Sequence, residues 1–217
     1  MPRPRLETDQ DKRREEILRA AFDLFVEKGF HGTSMLDIAR RARASKETLY
    51  SWFGSKEKLL GALVAWRADA IEVADPPAAD QDIAPALEAF GRSLLTLLMQ
   101  PEVIAVYRII IAEGPRHPAL VEAFDQAGRA RLRAAFSRLL ETAWRNRQLA
   151  FDKPIHAGPV DAGPVDAGDV FVGLLRGELQ IQVLLGLREP PDADAIAARA
   201  AWATRQFMKL FGVKPPE

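Results

Sequence analysis

The sequence predicts an all-α fold of about nine helices. Apolar residues recur at i, i+3, i+4 and i+7 along almost the whole chain, the period of a helix face rather than of a strand. Sustained alternation of Val, Ile, Thr and aromatic residues is missing. Gly and Pro clusters at Gly29, Gly54, Asp75-Pro76-Pro77, Gly114-Pro115 and Glu189-Pro190-Pro191 cut the helical pattern into segments.

Each segment carries its own start or stop. Ile17, Ala21, Leu24 and Phe25 form the stripe of a helix over about 9–28, which Gly29 stops. Thr33 or Ser34 can cap a short helix containing Met35, Ile38 and Ala39 and ending near Arg41, and Ser34 with Asp37 three residues on makes a capping box. Ser45 caps the next, which carries Leu49, Tyr50 and Phe53 and is broken by Gly54. Ser55 then caps a longer helix from Lys56 to about Ala74. Further helices are expected over about 82–99, from Pro101 to about Ala112, from Pro118 to about Gln148, over 168–187 and over 192–212. Between the helices expected to end at about Gln148 and to begin at about 168 lies a duplication, Ala157-Gly158-Pro159-Val160-Asp161 followed by Ala162-Gly163-Pro164-Val165-Asp166, whose Gly and Pro content reads as an extended loop.

Composition excludes several classes. The 217 residues contain no cysteine, which removes disulfides, thiol catalysis and Cys-ligated zinc. The longest apolar run, Leu59 to Trp66, is eight residues, against the ~20 of a membrane helix. The opening MPRPRLETDQ lacks the apolar region of a secretory signal, so a cytoplasmic protein with no membrane partner is expected. HExxH, P-loop, GxGxxG and GxSxG patterns are missing. The histidines His31, His117 and His156 are scattered in sequence, so neither a metal site, a cofactor nor catalysis is expected.

Thirty basic and 30 acidic residues cancel over the chain, but not locally. Residues 1–66 carry 13 Lys and Arg against 10 Asp and Glu, whereas residues 67–217 carry 17 against 20. In the window 38–58, Arg40, Arg41, Arg43, Lys46, Lys56 and Lys58 face only Glu47 and Glu57. A basic segment precedes a larger acidic one, an asymmetry that is either a nucleic-acid footprint or a solvated surface.

Two short helices joined by a turn of three or four residues and braced by helices on both sides have the spacing of a helix-turn-helix unit. Ile38, Ala39, Leu49 and Phe53 can hold the pair against Phe22, Phe25 and Phe30. The second helix then presents Lys46, Glu47, Thr48 and Ser51, with the positive end of its dipole toward a groove. Thr33, Ser34 and Lys56 stand at helix starts where phosphate oxygens can be held.

The string Gly29-Phe30-His31-Gly32-Thr33-Ser34-Met35-Leu36-Asp37-Ile38-Ala39-Arg40-Arg41-Ala42, with Ser45-Lys46-Glu47-Thr48-Leu49-Tyr50-Ser51-Trp52-Phe53 and Ser55-Lys56-Glu57-Lys58-Leu59-Leu60, closely resembles the N-terminal domain of TetR-type transcriptional regulators. The resemblance covers about residues 12–66. More loosely, Arg108-Ile109-Ile110-Ile111-Ala112-Glu113-Gly114-Pro115-Arg116-His117-Pro118 and Gly173-Leu174-Leu175-Arg176-Gly177-Glu178-Leu179 resemble the effector-binding half of the AefR-like branch. The resemblance implies a homodimer on a short palindromic double-stranded DNA operator, usually a repressor, released by a small-molecule effector. By position, it implies that Ser45, Lys46, Glu47 and Thr48 begin the recognition helix, that Tyr50 and Lys56 contact phosphate, and that Thr33 begins the supporting helix.

Three positions depart from the family's pattern. Arg43 replaces the usual Gly of the turn, where a left-handed backbone costs a non-Gly residue ~1–2 kcal/mol; a phosphate contact from its guanidinium would offset that. Trp52 stands where Tyr or His is commoner, its indole N–H within reach of a phosphate. Glu47 replaces a frequent Gly, and is readable as a cytosine N4 acceptor or, more simply, as a capping-turn carboxylate.

The implied organisation is a basic arm over 1–10, a DNA-binding domain over 11–54, a connecting helix over 55–74, and an effector-binding and dimerisation domain over 75–217 that includes a Gly/Pro loop over 150–167. Trp66, Phe90, Tyr107, Ile111, Phe124, Phe171 and Leu175 are candidates to line the effector pocket, although any one aromatic is equally readable as core. If residues 168–187 form one helix, Gly173, Gly177, Gln180 and Leu184 share a face suited to close approach by a partner subunit. Ala197 and Ala201 on the final helix agree with that face. Glu178 and Gln182 then look into the subunit, where they could orient a bound molecule. The rival readings are a helical scaffold that uses the helix-turn-helix as a corner, and an all-α enzyme.

Overall fold

The computed structural model describes residues 9–68, 78, 81–151 and 167–213, without the side chains of residues 67, 68, 129 and 131. Among these, every regular element is helical, and the one β-type contact is an isolated antiparallel bridge between Leu149 and Gly212. The α-helices are α1 (Asp9–Lys28), α2 (Met35–Arg41), α3 (Lys46–Phe53), α4 (Lys56–Ala68), α5 (Ala84–Leu98), α6 (Pro101–Glu113), α7 (Pro118–Phe124), α8 (Ala130–Arg145), α9 (Ala167–Arg176), α10 (Leu179–Leu184) and α11 (Ala193–Phe211). Nine are recovered if α7 with α8, and α9 with α10, are each counted as one interrupted helix. Residues 1–8 of the arm expected over 1–10, the end of the connecting helix and the duplicated loop lie outside the described residues, while Asp9 and Gln10 belong to α1.

The chain divides into two compact units, one of residues 1–66 and 105–128, the other of residues 67–104 and 129–217. The expected division near residue 75 is therefore incomplete: the stretch 105–128 joins the N-terminal helices. Val106, Leu120 and Phe124 are buried in the same core as Ile17, Phe25, Ile38, Leu49 and Leu63. Tight helix contact draws the stretch in. A Cβ on Gly61 would stand 3.3 Å from Ala123, and one on Gly128 only 2.7 Å from Val64. Gly128 lies within the π-helical turn Asp125–Arg129 that interrupts the expected helix from Pro118, a local widening that shifts the register of the helix face.

The second unit is built on aromatic rings. Phe171 on α9 is fully buried, with its ring centroid 5.2 Å from Phe136, 5.4 Å from Phe207 and 6.3 Å from Phe90. Phe90 stacks on Phe136 at 4.2 Å. Gly91 admits this cluster to α5, since a Cβ there would lie 3.2 Å from Phe171. Asp192 caps α11 by accepting from the Ala195 N–H at 2.8 Å.

The helix expected over 168–187 breaks in the middle. Gly177 adopts φ +46°, a left-handed conformation open to Gly at little cost. Arg199 takes over the exposed end of α9, donating from Nε to the Leu175 carbonyl at 3.0 Å and from Nη2 to that of Leu174 at 2.7 Å. The proposed faces change accordingly. Gln180 is buried within the subunit rather than exposed to a partner, and accepts from Arg176 at 3.2 Å. Glu178 is exposed and does not face the interior, while Gln182 is half-buried. Gly173 and Gly177 are exposed, and Leu184, Ala197 and Ala201 are half-buried.

Candidate nucleic-acid interface

The helix pair α2 and α3 is held by local chemistry. Ser34 and Asp37 form the expected capping box at α2, with the Ser34 N–H donating to Asp37 at 3.0 Å and the Asp37 N–H donating to Ser34 Oγ at 3.1 Å. The Ser34 hydroxyl and backbone N–H hold the Asp37 carboxyl below its ordinary pKa. At α3, Ser45 Oγ accepts from the Thr48 N–H at 3.0 Å. Glu47 turns back on its own N–H and the Ser45 hydroxyl, which lower its pKa, so it acts as a capping carboxylate in this structure. Both acids support their helix starts above the ordinary carboxylate pKa and lose that effect as the pH falls through their lowered values.

The turn between α2 and α3 is left-handed. Arg43 has φ +51°, as a position that usually carries Gly requires. The turn is closed by Ala42 N–H to Ile38 O and Ala44 N–H to Ala39 O, both at 2.9 Å. Arg13, which sequence reasoning missed, donates to the Ala42 and Arg43 carbonyls at 2.7 Å each. Arg41 and Glu27 add an exposed paired contact at 3.1 and 2.8 Å. With its backbone strained and its side chain exposed, Arg43 is expected to trade stability for binding. Arg43→Gly should raise the melting temperature by a few degrees, from ~1–2 kcal/mol of relieved strain, and weaken DNA affinity. Tighter DNA binding by Arg43→Gly would refute the trade.

Two residues assigned to phosphate serve the fold instead. Thr33 is buried, and its hydroxyl lies 3.0 Å from the Leu24 carbonyl and 2.9 Å from that of Gly29. It therefore pins the end of α1, and Ser34 takes the cap. Lys56 donates to the Phe30 and Thr33 carbonyls at 2.6 and 2.8 Å, with its ammonium 4.3 Å from the Phe30 ring centre. Burial lowers its pKa. Beside it, burial raises the Glu57 pKa, but the Glu57 backbone N–H and the Ser55 hydroxyl outweigh it and bring the net shift down.

On α3, Leu49 and Phe53 face the core while Lys46, Glu47, Tyr50 and Ser51 are exposed and Thr48 is half-exposed. The Lys46 ammonium sits 5.6 Å from the Tyr50 ring centre, so the cation and the phenol lie side by side on one surface. Trp52 is half-buried against the core, edge-on to Phe53 at 6.5 Å. The candidate pocket residues divide between the two units. Trp66, Tyr107, Ile111 and Phe124 fall in the first, where Tyr107 meets Phe124 edge-on at 5.0 Å and Ile111 is 58% exposed. Phe90, Phe171 and Leu175 fall in the core of the second. An open recess of about 770 Å³ in that unit is lined by other residues, among them Trp144, Arg147, Phe151 and Val213.

A capped supporting helix, a left-handed turn and a second helix with Lys46, Glu47, Tyr50 and Ser51 exposed, packed on a long first helix, define a helix-turn-helix unit. Comparison with known proteins gives the family. Residues 17–63 match the model of bacterial regulatory proteins of the tetR family, and residues 85–213 match the C-terminal domain of AefR-like transcriptional repressors. The chain belongs to the TetR family. It is 30% identical over 152 residues to an HTH-type transcriptional repressor of Mycobacterium tuberculosis, covering 66% of this chain and 77% of that one. It is 38% identical to an HTH-type regulator of Bacillus subtilis, but over only 31% of this chain and 34% of that protein. Several other curated relatives match over similarly short lengths, 27% of the FasR activator of Mycolicibacterium smegmatis for instance. Among solved structures, a TetR regulator from Agrobacterium tumefaciens superposes with a TM-score of 0.74 at 31% identity, covering 93% of this chain and 95% of that one. The flavonoid-responsive regulator FrrA does so with a TM-score of 0.71 at 31% identity, covering 94% and 99%. Among the described residues, no single helix is long and apolar enough to cross a membrane.

Proposed function

We propose that this protein is a cytoplasmic transcriptional repressor that binds a palindromic DNA operator as a homodimer and is released by a small apolar ligand. The observation that carries the reading is α3 itself. It exposes Lys46, Tyr50 and a capped, positively polarised N-terminus on a turn whose strained Arg43 has no role in the core. Such a helix enters the major groove, and two of them related by a dimer axis read two half-sites.

Exposed apolar side chains support the dimer. Ile181 is 47% exposed and Leu185 66% at α10, and Trp202 is 38% exposed on α11. A second copy would cover such a surface. The likeness to a flavonoid-responsive regulator supports an aromatic compound as the effector class. The effector acts by binding more tightly to the conformation that fits DNA less well, and it weakens DNA binding by that same differential. The test is affinity for duplex DNA against salt, with sedimentation in parallel. A dimer should bind with log affinity falling steeply, by about 0.9 per phosphate neutralised for each unit of log salt. A monomer whose weak DNA binding ignores salt would instead support the scaffold reading.

A further inference from the structure

The fold brings together two histidines that lie 86 residues apart in sequence. His31 follows α1 in the loop leading to α2. His117 stands immediately before α7, and Glu113 ends α6. All three belong to the first unit. His31 Nε2 lies 2.8 Å from His117 Nε2 and 2.8 Å from Glu113 Oε2, and the ligand atoms of the three residues all fall within 4.8 Å of one another. Phe30 backs both rings, at 6.3 and 6.4 Å between centroids.

Proton bookkeeping at this point is unfavourable. A neutral imidazole carries one N–H and one lone pair, and a carboxylate only accepts. If the proton sits on His31 Nε2, it must serve both His117 and Glu113. If it sits on His117 Nε2, the lone pairs of His31 and Glu113 confront each other. If both Nε2 atoms carry a proton, two N–H groups oppose each other at 2.8 Å, so three basic atoms converge where only one hydrogen fits between the rings. A divalent cation satisfies all three at once. Metal–nitrogen and metal–oxygen distances of about 2.0–2.2 Å place tetrahedral ligands roughly 3.3 Å apart, so the two 2.8 Å approaches would open by about 0.5 Å around an ion, within the 4.8 Å that bounds all three atoms. Imidazole with carboxylate suits zinc and its neighbours rather than calcium or magnesium. The surrounding charge is mixed: the Glu57 carboxylate acts on His117, and the Lys56 ammonium, occupied by the Phe30 and Thr33 carbonyls, acts on Glu113.

We propose that His31, Glu113 and His117 form a binding site for a divalent transition-metal ion of the zinc class, which ties the loop after α1 to the α6–α7 corner. The fourth position is open to water or another ligand. His31 is 55% exposed by side chain and Glu113 is 19% exposed, so an ion reaches the site without unfolding.

The experiment uses the tag-free full chain at pH 7.5, titrated with Co²⁺ by visible absorbance and with Zn²⁺ by calorimetry. One ion per chain is expected. His31→Ala, His117→Ala and Glu113→Gln should each weaken binding at least 30-fold with unchanged helical content, and His156→Ala should bind as the parent does. In the unmodified protein, the side-chain nitrogen resonances of His31 and His117 should shift together on adding Zn²⁺. Failure to bind at millimolar metal, or binding that His31→Ala and His117→Ala leave intact, would overturn the site. Neither result depends on DNA, so each is separable from the regulatory reading.

Discussion

Replacing Lys46, Thr48 and Tyr50 together by alanine is expected to abolish specific DNA recognition while leaving the fold unchanged. Lys46 and Tyr50 are exposed and Thr48 is half-exposed, so truncation opens no cavity. The helix start also survives, because Ser45 receives the backbone N–H of residue 48 and not its hydroxyl alone. Contacts to bases or phosphates are worth ~1–3 kcal/mol each. Even with partial additivity the triple variant should lose at least about 3 kcal/mol, more than a hundredfold in operator affinity. Its salt dependence should also become shallower by about two units, one for the lysine lost from each subunit of the dimer. Circular dichroism and the melting temperature should match the parent. Anisotropy titrations on a selected operator check the loss, and an affinity within threefold of the parent would place the reading surface elsewhere.

The second large effect concerns stability. Phe171 is enclosed by Phe90, Phe136 and Phe207 and is fully buried. Phe171→Ala should cost ~3–5 kcal/mol, which lowers the melting temperature of a chain this size by roughly 6–20 °C. The same residue was a candidate for the wall of an effector pocket, and the two roles predict different magnitudes. A ring facing an open cavity has lost part of its packing already, so its removal would cost less than the ~3 kcal/mol floor of that range. Thermal unfolding of the single variant separates them.

These contrasts show what was legible from sequence. Helix starts and stops were, because Ser34 with Asp37, Ser45, Gly29 and Gly54 act within four residues of themselves. Helix α3 was legible for the same reason. Roles that depend on a distant partner were not. Lys56 and Thr33 have the composition of phosphate ligands, yet the carbonyls they satisfy belong to a loop and a helix end whose position only the folded chain supplies. The break at Gly177 was hidden because the apolar period runs on through both sides of it, and the arginine that makes it affordable lies 24 residues away from Leu175. The histidine pair was invisible for a plainer reason: scattered residues carry no spacing signal, and α6 and α7 had to fold back onto the N-terminal helices to bring them together.

The central claim is that two copies of α3 read DNA from a dimer. Selection of bound sequences from a random duplex pool, repeated at low and physiological salt, tests it most directly. The account predicts enrichment of a palindrome whose half-sites lie about 34–36 Å apart, or a multiple of that, persisting at the higher salt. A pool that stays random, or one that converges on an asymmetric site bound by a single chain, would contradict it.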